Sequence, residues 1–136
     1  MEEMISPFIQ PNLRKLLSFA TSEWNIDREY EIYIHTPVRE LYGYIFEDEV
    51  VGCIGIEILD LKRCEIKHIA VFPNHRGKGL GSKMISFIKV KHPVPFVIAE
   101  TDKEAVIFYE NYGFKITSLG EKYPGEERFQ CILKNK

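Results

Sequence analysis

The hydrophobic and polar positions of this chain change period several times, and each change marks an element. Met4 to Ile9 reads as a short first strand. Pro11 follows where the first turn of a helix tolerates its missing N–H. Leu13, Leu16, Leu17 and Ala20 then recur at helical spacing. Trp24 and Asn25 interrupt this pattern. Asp27 is placed to cap a second helix carrying Tyr30, Tyr33 and Ile34, which Pro37 ends. The period next falls to two. Leu41 to Phe46 alternates, Glu47-Asp48-Glu49 turns the chain, and Val50 to Leu59 runs on with Gly52 and Gly55 inside it. A glycine within a strand predicts a bulge or something close against the backbone. Cys64 to Phe72 is a further strand, and Pro73 stops it because it has no N–H for a ladder.

Beyond Pro73 the pattern is helical, then extended, then helical again. Leu80, Met84, Ile85 and Ile88 give the buried face of a helix from Leu80 to Lys91. Phe96 to Ala99 is a continuous apolar run, as in a strand buried on both faces. Thr101-x-x-Glu104 reads as a capping box for a helix bearing Ala105, Phe108, Tyr109 and Tyr112, with Gly113 as its terminator. Phe114 to Leu119 and Arg128 to Leu133 are the last strands, with Tyr123-Pro124-Gly125 in the loop between them. Strands and helices in this order predict a mixed α/β sheet with helices packed on it. No repeat or linker divides the 136 residues, so a single domain spanning 1–136 is expected.

Composition narrows the function. A net charge of −2 gives no basic excess for a nucleic-acid backbone, and no apolar run is long enough for a membrane helix. Cys53, Cys64 and Cys131 are odd in number and scattered, which predicts reduced thiols in the cytoplasm rather than disulfides or a metal site.

The chemistry concentrates in Arg76-Gly77-Lys78-Gly79-Leu80-Gly81-Ser82, between a predicted strand and a predicted helix. A glycine-rich turn opening a helix presents free N–H groups at the positive end of the helix dipole, which is an anion site. It is not a P-loop, because no glycine here is followed by Lys-Ser or Lys-Thr. A dinucleotide-binding Gly-x-Gly-x-x-Gly/Ala pattern fails at Ser82 or Met84 and lies too far along the chain. Arg76-x-x-Gly79-x-Gly81 fits a third pattern. It resembles the pyrophosphate loop of the GNAT superfamily of acyl-CoA-dependent N-acyltransferases, and Ile69 to Pro73 resembles the strand before that loop. Thr101 to Phe114, with Ala105, Phe108-Tyr109 and Gly113-Phe114, resembles a second motif of the same superfamily.

The resemblance covers essentially the whole chain. It implies a GNAT-like α/β (α+β) fold: a mixed, mostly antiparallel sheet of about seven strands flanked by four helices. It implies an acetyltransferase that uses acetyl-CoA, without metal, to acylate a primary amine on a small molecule or peptide by direct transfer. The expected state is monomer or homodimer. A non-catalytic acyl-CoA sensor of the same fold is the alternative. The resemblance also assigns residues. Ile69, Ala70 and Val71 would pair with the pantetheine arm. Arg76, Gly77, Lys78, Gly79, Leu80, Gly81 and Ser82 would hold the pyrophosphate, and Phe108 and Tyr109 would complete the cofactor site. Asp102 stands where the family often has Asn, so helix capping competes with a cofactor contact there.

Amide formation requires a neutral amine, a donor for the carbonyl oxygen and a proton for the leaving thiolate. Tyr109 matches the family's general acid, and its alternative is a packing role. Glu65 matches a position where several relatives carry a base, on a strand face shared by period two with residues 67, 69 and 71. An exposed strand-start glutamate is the other reading. His68 falls on the opposite face, as a satisfied core residue. Cys64 shares the His68 face but is too distant along the strand for nucleophilic activation. In this fold the stretch from Trp24 to Tyr33 would border the acceptor. Glu23, Asp27, Glu29 and Glu31 there predict a cationic amine, unless they form a solvated helix face.

Overall fold

The structure, a computed structural model, describes residues 1–135. A seven-stranded sheet crosses it: β1 (Glu2–Glu3), β2 (Arg39–Phe46), β3 (Glu49–Ile58), β4 (Arg63–Val71), β5 (Phe96–Asp102), β6 (Lys115–Tyr123) and β7 (Glu126–Lys134). The spatial order is β1-β2-β3-β4-β5-β7-β6. Only β4 and β5 run parallel, and the remaining neighbours are antiparallel. The helices are α1 (Pro11–Ser18), α2 (Ile26–His35), α3 (Leu80–Lys91) and α4 (Val106–Tyr112).

Each face of the sheet buries its own core. On one, Leu13, Leu16 and Leu17 of α1 and Ile26, Tyr30 and Tyr33 of α2 close over Leu41, Val50 and Cys53. On the other, Met84, Ile85 and Ile88 of α3 and Tyr109 of α4 close over Ile54, Ile56, Cys64, Ile66 and Val97. The helical spacing of these residues in the sequence is what aims them at the sheet.

Several boundaries differ from expectation. The first strand is two residues long, Glu2–Glu3, and lies before the expected Met4 to Ile9 rather than within it. Met4 N still donates to Leu41 O at 2.8 Å, but Pro7 has no N–H with which to extend the ladder. Asp27 does not cap α2. That helix starts at Ile26 behind Asn25, and Asp27 pairs with Arg14 of α1 instead. The capping box at Thr101 is also replaced. Thr101 is buried in β5, committed to pairing with Phe129, and Asp102 bonds the turn that leads into α4, whose N-cap is Ala105.

The largest departure is in β4. Gly55 is opposite His68 and Ile56 is opposite Ile66, so Lys67 is an extra residue, a β-bulge. A one-residue slip exchanges the faces of everything after it. Cys64 and Ile66 therefore face α3, and so do Ile69 and Val71, whereas Ala70 joins the core under α1 and α2. His68 faces Tyr33 of α2. Glu65 is opposite Glu57, whose carboxylate binds Arg39 beside α2. The expected face shared by Glu65 and Ile69 is thus wrong, and so is the face shared by Cys64 and His68.

Gly55 is the partner feature of the bulge. A Cβ there would lie 2.0 Å from the Tyr33 hydroxyl, so only glycine lets that phenol reach His68.

Candidate active site

The parallel pairing of β4 with β5 is short. It runs from Arg63 opposite Phe96 to Ile66 opposite Ala99 and stops at the bulge. Past that point β4 continues on β3 to Val71, and β5 continues on β7 to Asp102. The two strands separate and leave a slot. The edge of β4 from Lys67 to Val71 has no strand beside it on that side, which suits a ligand lying along it as an extra strand.

The slot is the bottom of a cleft of about 580 Å³. One end is closed by the glycine loop and the start of α3, where Arg76, Gly77, Gly79, Leu80, Gly81 and Ser82 line the wall. Gly77 and Gly79 have φ of +76° and +77°, and a Cβ on either would meet nothing within 4 Å. Here glycine serves the backbone conformation and leaves an open approach to it. Gly79 caps α3, and the first N–H groups after it have no acceptor within the helix. This is a fit for an anion such as a pyrophosphate. Gly81 works differently: its φ is not positive, and a Cβ there would sit 2.9 Å from the Phe108 ring. It allows α3 to pack against α4.

Arg76 is folded back. Its Nε donates to Val71 O at 2.8 Å and its guanidinium lies 5.2 Å over the Phe19 ring. It ties the loop to β4 and to the end of α1, and engages one carbonyl of the strand edge. Lys78 does not line the cleft. Ile69, Ala70 and Val71 do, with Phe108, Tyr109 and Asp102 facing them from the other side. The Asp102 Oδ1 accepts from Glu104 N at 3.1 Å and Ala105 N at 2.9 Å, so that oxygen is spent on starting α4.

Tyr109 is 5% exposed, held edge-on between Phe108 and Phe114 with centroids 5.2 Å away on either side. Burial raises its phenol pKa above the ordinary value, with Cys131 and Asp102 acting in the same direction. The hydroxyl therefore keeps its proton. It donates to no described group, although Tyr109 lines the cleft.

Glu65 is not among the lining residues. It stands on paired strand below the slot, with Lys67 Nζ 3.3 Å from its Oε1. His68, which sequence reasoning placed in the core, does reach the cleft wall. Its Nδ1 is 2.5 Å from the Tyr33 hydroxyl and its Nε2 is 3.6 Å from Glu29. Burial pulls its pKa down to about 4, against the opposing pull of Glu29, so the imidazole is neutral. The network continues through Arg39, whose Nε donates to Glu57 at 2.5 Å and whose Nη1 is 3.6 Å from Glu29, too far for a hydrogen bond. The glycine spacing around Gly55 was the one sequence signal that something approached β3 at this point.

The expected acidic wall does not face the cleft. Trp24 is 87% exposed, Asp27 is taken by Arg14, and Glu31 sits 3.1 Å from His35. Glu29 is absorbed in the buried network. The thiols are buried, and burial pushes Cys64 up to about 12, which removes it as a nucleophile. Among the described residues no cluster of side chains could hold a metal ion.

The description "Acetyltransferase (GNAT) domain" matches residues 37–116. An uncharacterized N-acetyltransferase in the lysA 3' region of Bacillus methanolicus is 28% identical over 95 residues, 68% of this chain and 79% of that protein. Among solved structures, a GNAT family acetyltransferase from Elizabethkingia anophelis with acetyl-CoA bound has a TM-score of 0.74 and 20% identity, covering 98% of this chain and 95% of that one. An aminoglycoside 6'-N-acetyltransferase complexed with coenzyme A has a TM-score of 0.80 and 16% identity, covering 100% and 98%.

Proposed function

Because the chain belongs to the GNAT acetyltransferase family, whose co-substrate is acetyl-CoA, we propose that it transfers the acetyl group directly to a primary amine. The observation that carries this is the slot between β4 and β5, which ends at the two open glycines and has Tyr109 in its lining. Acetyl-CoA supplies the activated acyl carbon. The chain supplies everything else.

The loop amides from Gly77 to Ser82 and the start of α3 would hold the pyrophosphate. The open edge of β4 at Ile69 and Ala70 would align the pantetheine arm and offer a main-chain N–H to the thioester oxygen. When the neutral amine's nitrogen bonds to the acyl carbon, the C–S bond breaks, the thiolate takes a proton from a donor, and the nitrogen releases its surplus proton to solvent, from which the donor is reprotonated. Tyr109 is the donor, because burial keeps its hydroxyl protonated and no described group competes for that proton. An idle tyrosine of this kind supports catalysis over a sensor role.

The amine must arrive with a lone pair. Glu65, the base suggested by resemblance, is outside the cleft lining, and the bulge at Lys67 is the reason. The carboxylates that do line the cleft are engaged: Asp102 Oδ1 accepts from the turn before α4 and Glu100 receives Lys122 and Arg128. His68 is bonded to Tyr33 and held near 4, too weak a base for an alkylamine. The chain therefore draws on the neutral fraction of the amine. The test is incubation of the purified protein with acetyl-CoA and an amine panel, following free thiol from pH 6 to 10. Turnover should rise about tenfold per pH unit up to the acceptor's own pKa. A plateau near pH 6 to 7 would instead show a dedicated base, and no thiol release with any amine would overturn transfer.

A further inference from the structure

Resting on that reading, we propose that the acceptor amine also carries an anionic group, and that Arg128 of β7 recognises it together with Lys67 at the β4 bulge. The cleft has two ends. The loop end is suited to pyrophosphate. The far end, where β4 and β5 begin to separate, is lined by Lys67, His68, Glu100 and Arg128. The acceptor must enter there, because the other end is filled by the cofactor.

The charges at this end are paired, and one pair leaves donors free. Lys67 is matched by Glu65 at 3.3 Å. Glu100 is the single carboxylate opposite two cations: Lys122 Nζ lies 3.1 Å from its Oε1 and Arg128 Nε lies 3.3 Å from its Oε2. Burial works against its ionisation, but the hydrogen bonds from Lys122 and Arg128 hold its pKa below the ordinary carboxylate value. Asp102, opposite Arg128 in the β5–β7 register, is the other carboxylate of the lining, with its Oδ1 bonded to the turn before α4. The geometry of Arg128 is what singles it out. Arg128 spends only Nε on Glu100, and its two terminal nitrogens have no partner among the described residues. They form the planar fork that binds a carboxylate or a phosphate through paired hydrogen bonds.

The acids of the Trp24 stretch are elsewhere, paired with Arg14, His35 and Arg39. An anion would meet an open fork. Carboxylate and phosphate share this chemistry, and the choice between them is left to measurement.

The experiment uses one carbon chain with four ends: propylamine, 3-aminopropanoate, 3-aminopropylphosphonate and 1,3-diaminopropane. Each is assayed as acceptor with acetyl-CoA, and its binding to the protein–CoA complex is measured by calorimetry. The anionic pair should give the highest kcat/KM and the tightest binding, and the better of the two identifies the anion. R128Q should cut their advantage over propylamine by about tenfold to a hundredfold, mainly through KM. R128K should restore part of it, because it keeps the charge and loses the fork. Comparing each acceptor with itself in the variant cancels differences in amine basicity. The proposal is overturned if the diamine or propylamine binds best, if no anionic amine binds, or if R128Q leaves the ratio unchanged. Failure of CoA itself to bind would overturn the acyltransferase reading, and the amine calorimetry still decides this one on its own.

Discussion

Two buried side chains beside the slot have opposite proton chemistry, and burial sets both. Tyr109 retains its proton because a phenolate would be desolvated among Phe108 and Phe114. Tyr109→Phe keeps that packing, so CoA affinity should not change while kcat falls by roughly 10²–10⁴-fold. A kcat within about twofold, with chemistry rate-limiting, would leave Tyr109 a packing residue. His68 is the reverse case: burial disfavours its charged form and takes its pKa from 6.5 to about 4. The unfolded chain then binds a proton that the folded chain refuses. Stability should be complete above about pH 6.5 and drain away as pH falls toward 4, by about 3 kcal/mol at most. Glu29, Arg39 and Lys67 are the charges around it. Urea unfolding at pH 7 and pH 4.5 reads this directly. His68→Gln should flatten the difference, and an unchanged difference would mean that other groups set the acid limb.

At the scale of elements, the bulge in β4 and the loop before α3 cooperate. The bulge ends the parallel pairing and adds local twist, so β5 departs and the slot opens. The loop then delivers the N-terminus of α3 to the slot's end. Its glycines divide the work, and substitution should separate them. Gly79→Val places a side chain in the open approach and forces a strained φ, so CoA binding should weaken greatly, with only about 1–3 kcal/mol lost from stability. Gly81→Ala collides with Phe108 and should act through the α3–α4 packing, lowering the melting temperature more than it lowers CoA affinity. Equal CoA affinity in wild type and a folded Gly79→Val protein, by calorimetry, would remove the loop from the cofactor site.

The whole molecule places its cleft where the sheet is divided, with α3 and α4 on one face and α1 and α2 on the other. A ligand bridging β4, the loop and α4 ties both cores to one another. CoA at a hundred times its dissociation constant should therefore stabilise the fold by about 2.7 kcal/mol, visible as a rise of several degrees in melting temperature. The Gly79→Val protein should lose most of that rise and the Tyr109→Phe protein little of it. A melting temperature indifferent to CoA in the wild type would contradict a preformed site.

The sequence alone determined what local chemistry fixes. Leu80 to Lys91 was legible as a helix because its apolar spacing, its glycine cap and its flanking prolines agree, and α3 has those bounds. The loop and the Phe108-Tyr109 helix were legible because a phosphate cradle and a closing glycine need particular residues at fixed spacing. The tertiary structure decided the rest. Thr101 was read as a cap because the pairing of β5 with β7 through Asp102 is a long-range matter. Glu65 was placed on the cofactor side by simple alternation, and one extra residue at Lys67 reversed that parity. A bulge depends on what the neighbouring strand and helix bring against it. Here those are Gly55 and the Tyr33 hydroxyl, distant in sequence and joined only by folding. Charge followed the same rule. The acids near Trp24 read as one surface, but their partners on α1, α2 and β2 withdrew them, and the cleft lining holds Lys67 and Arg128 instead.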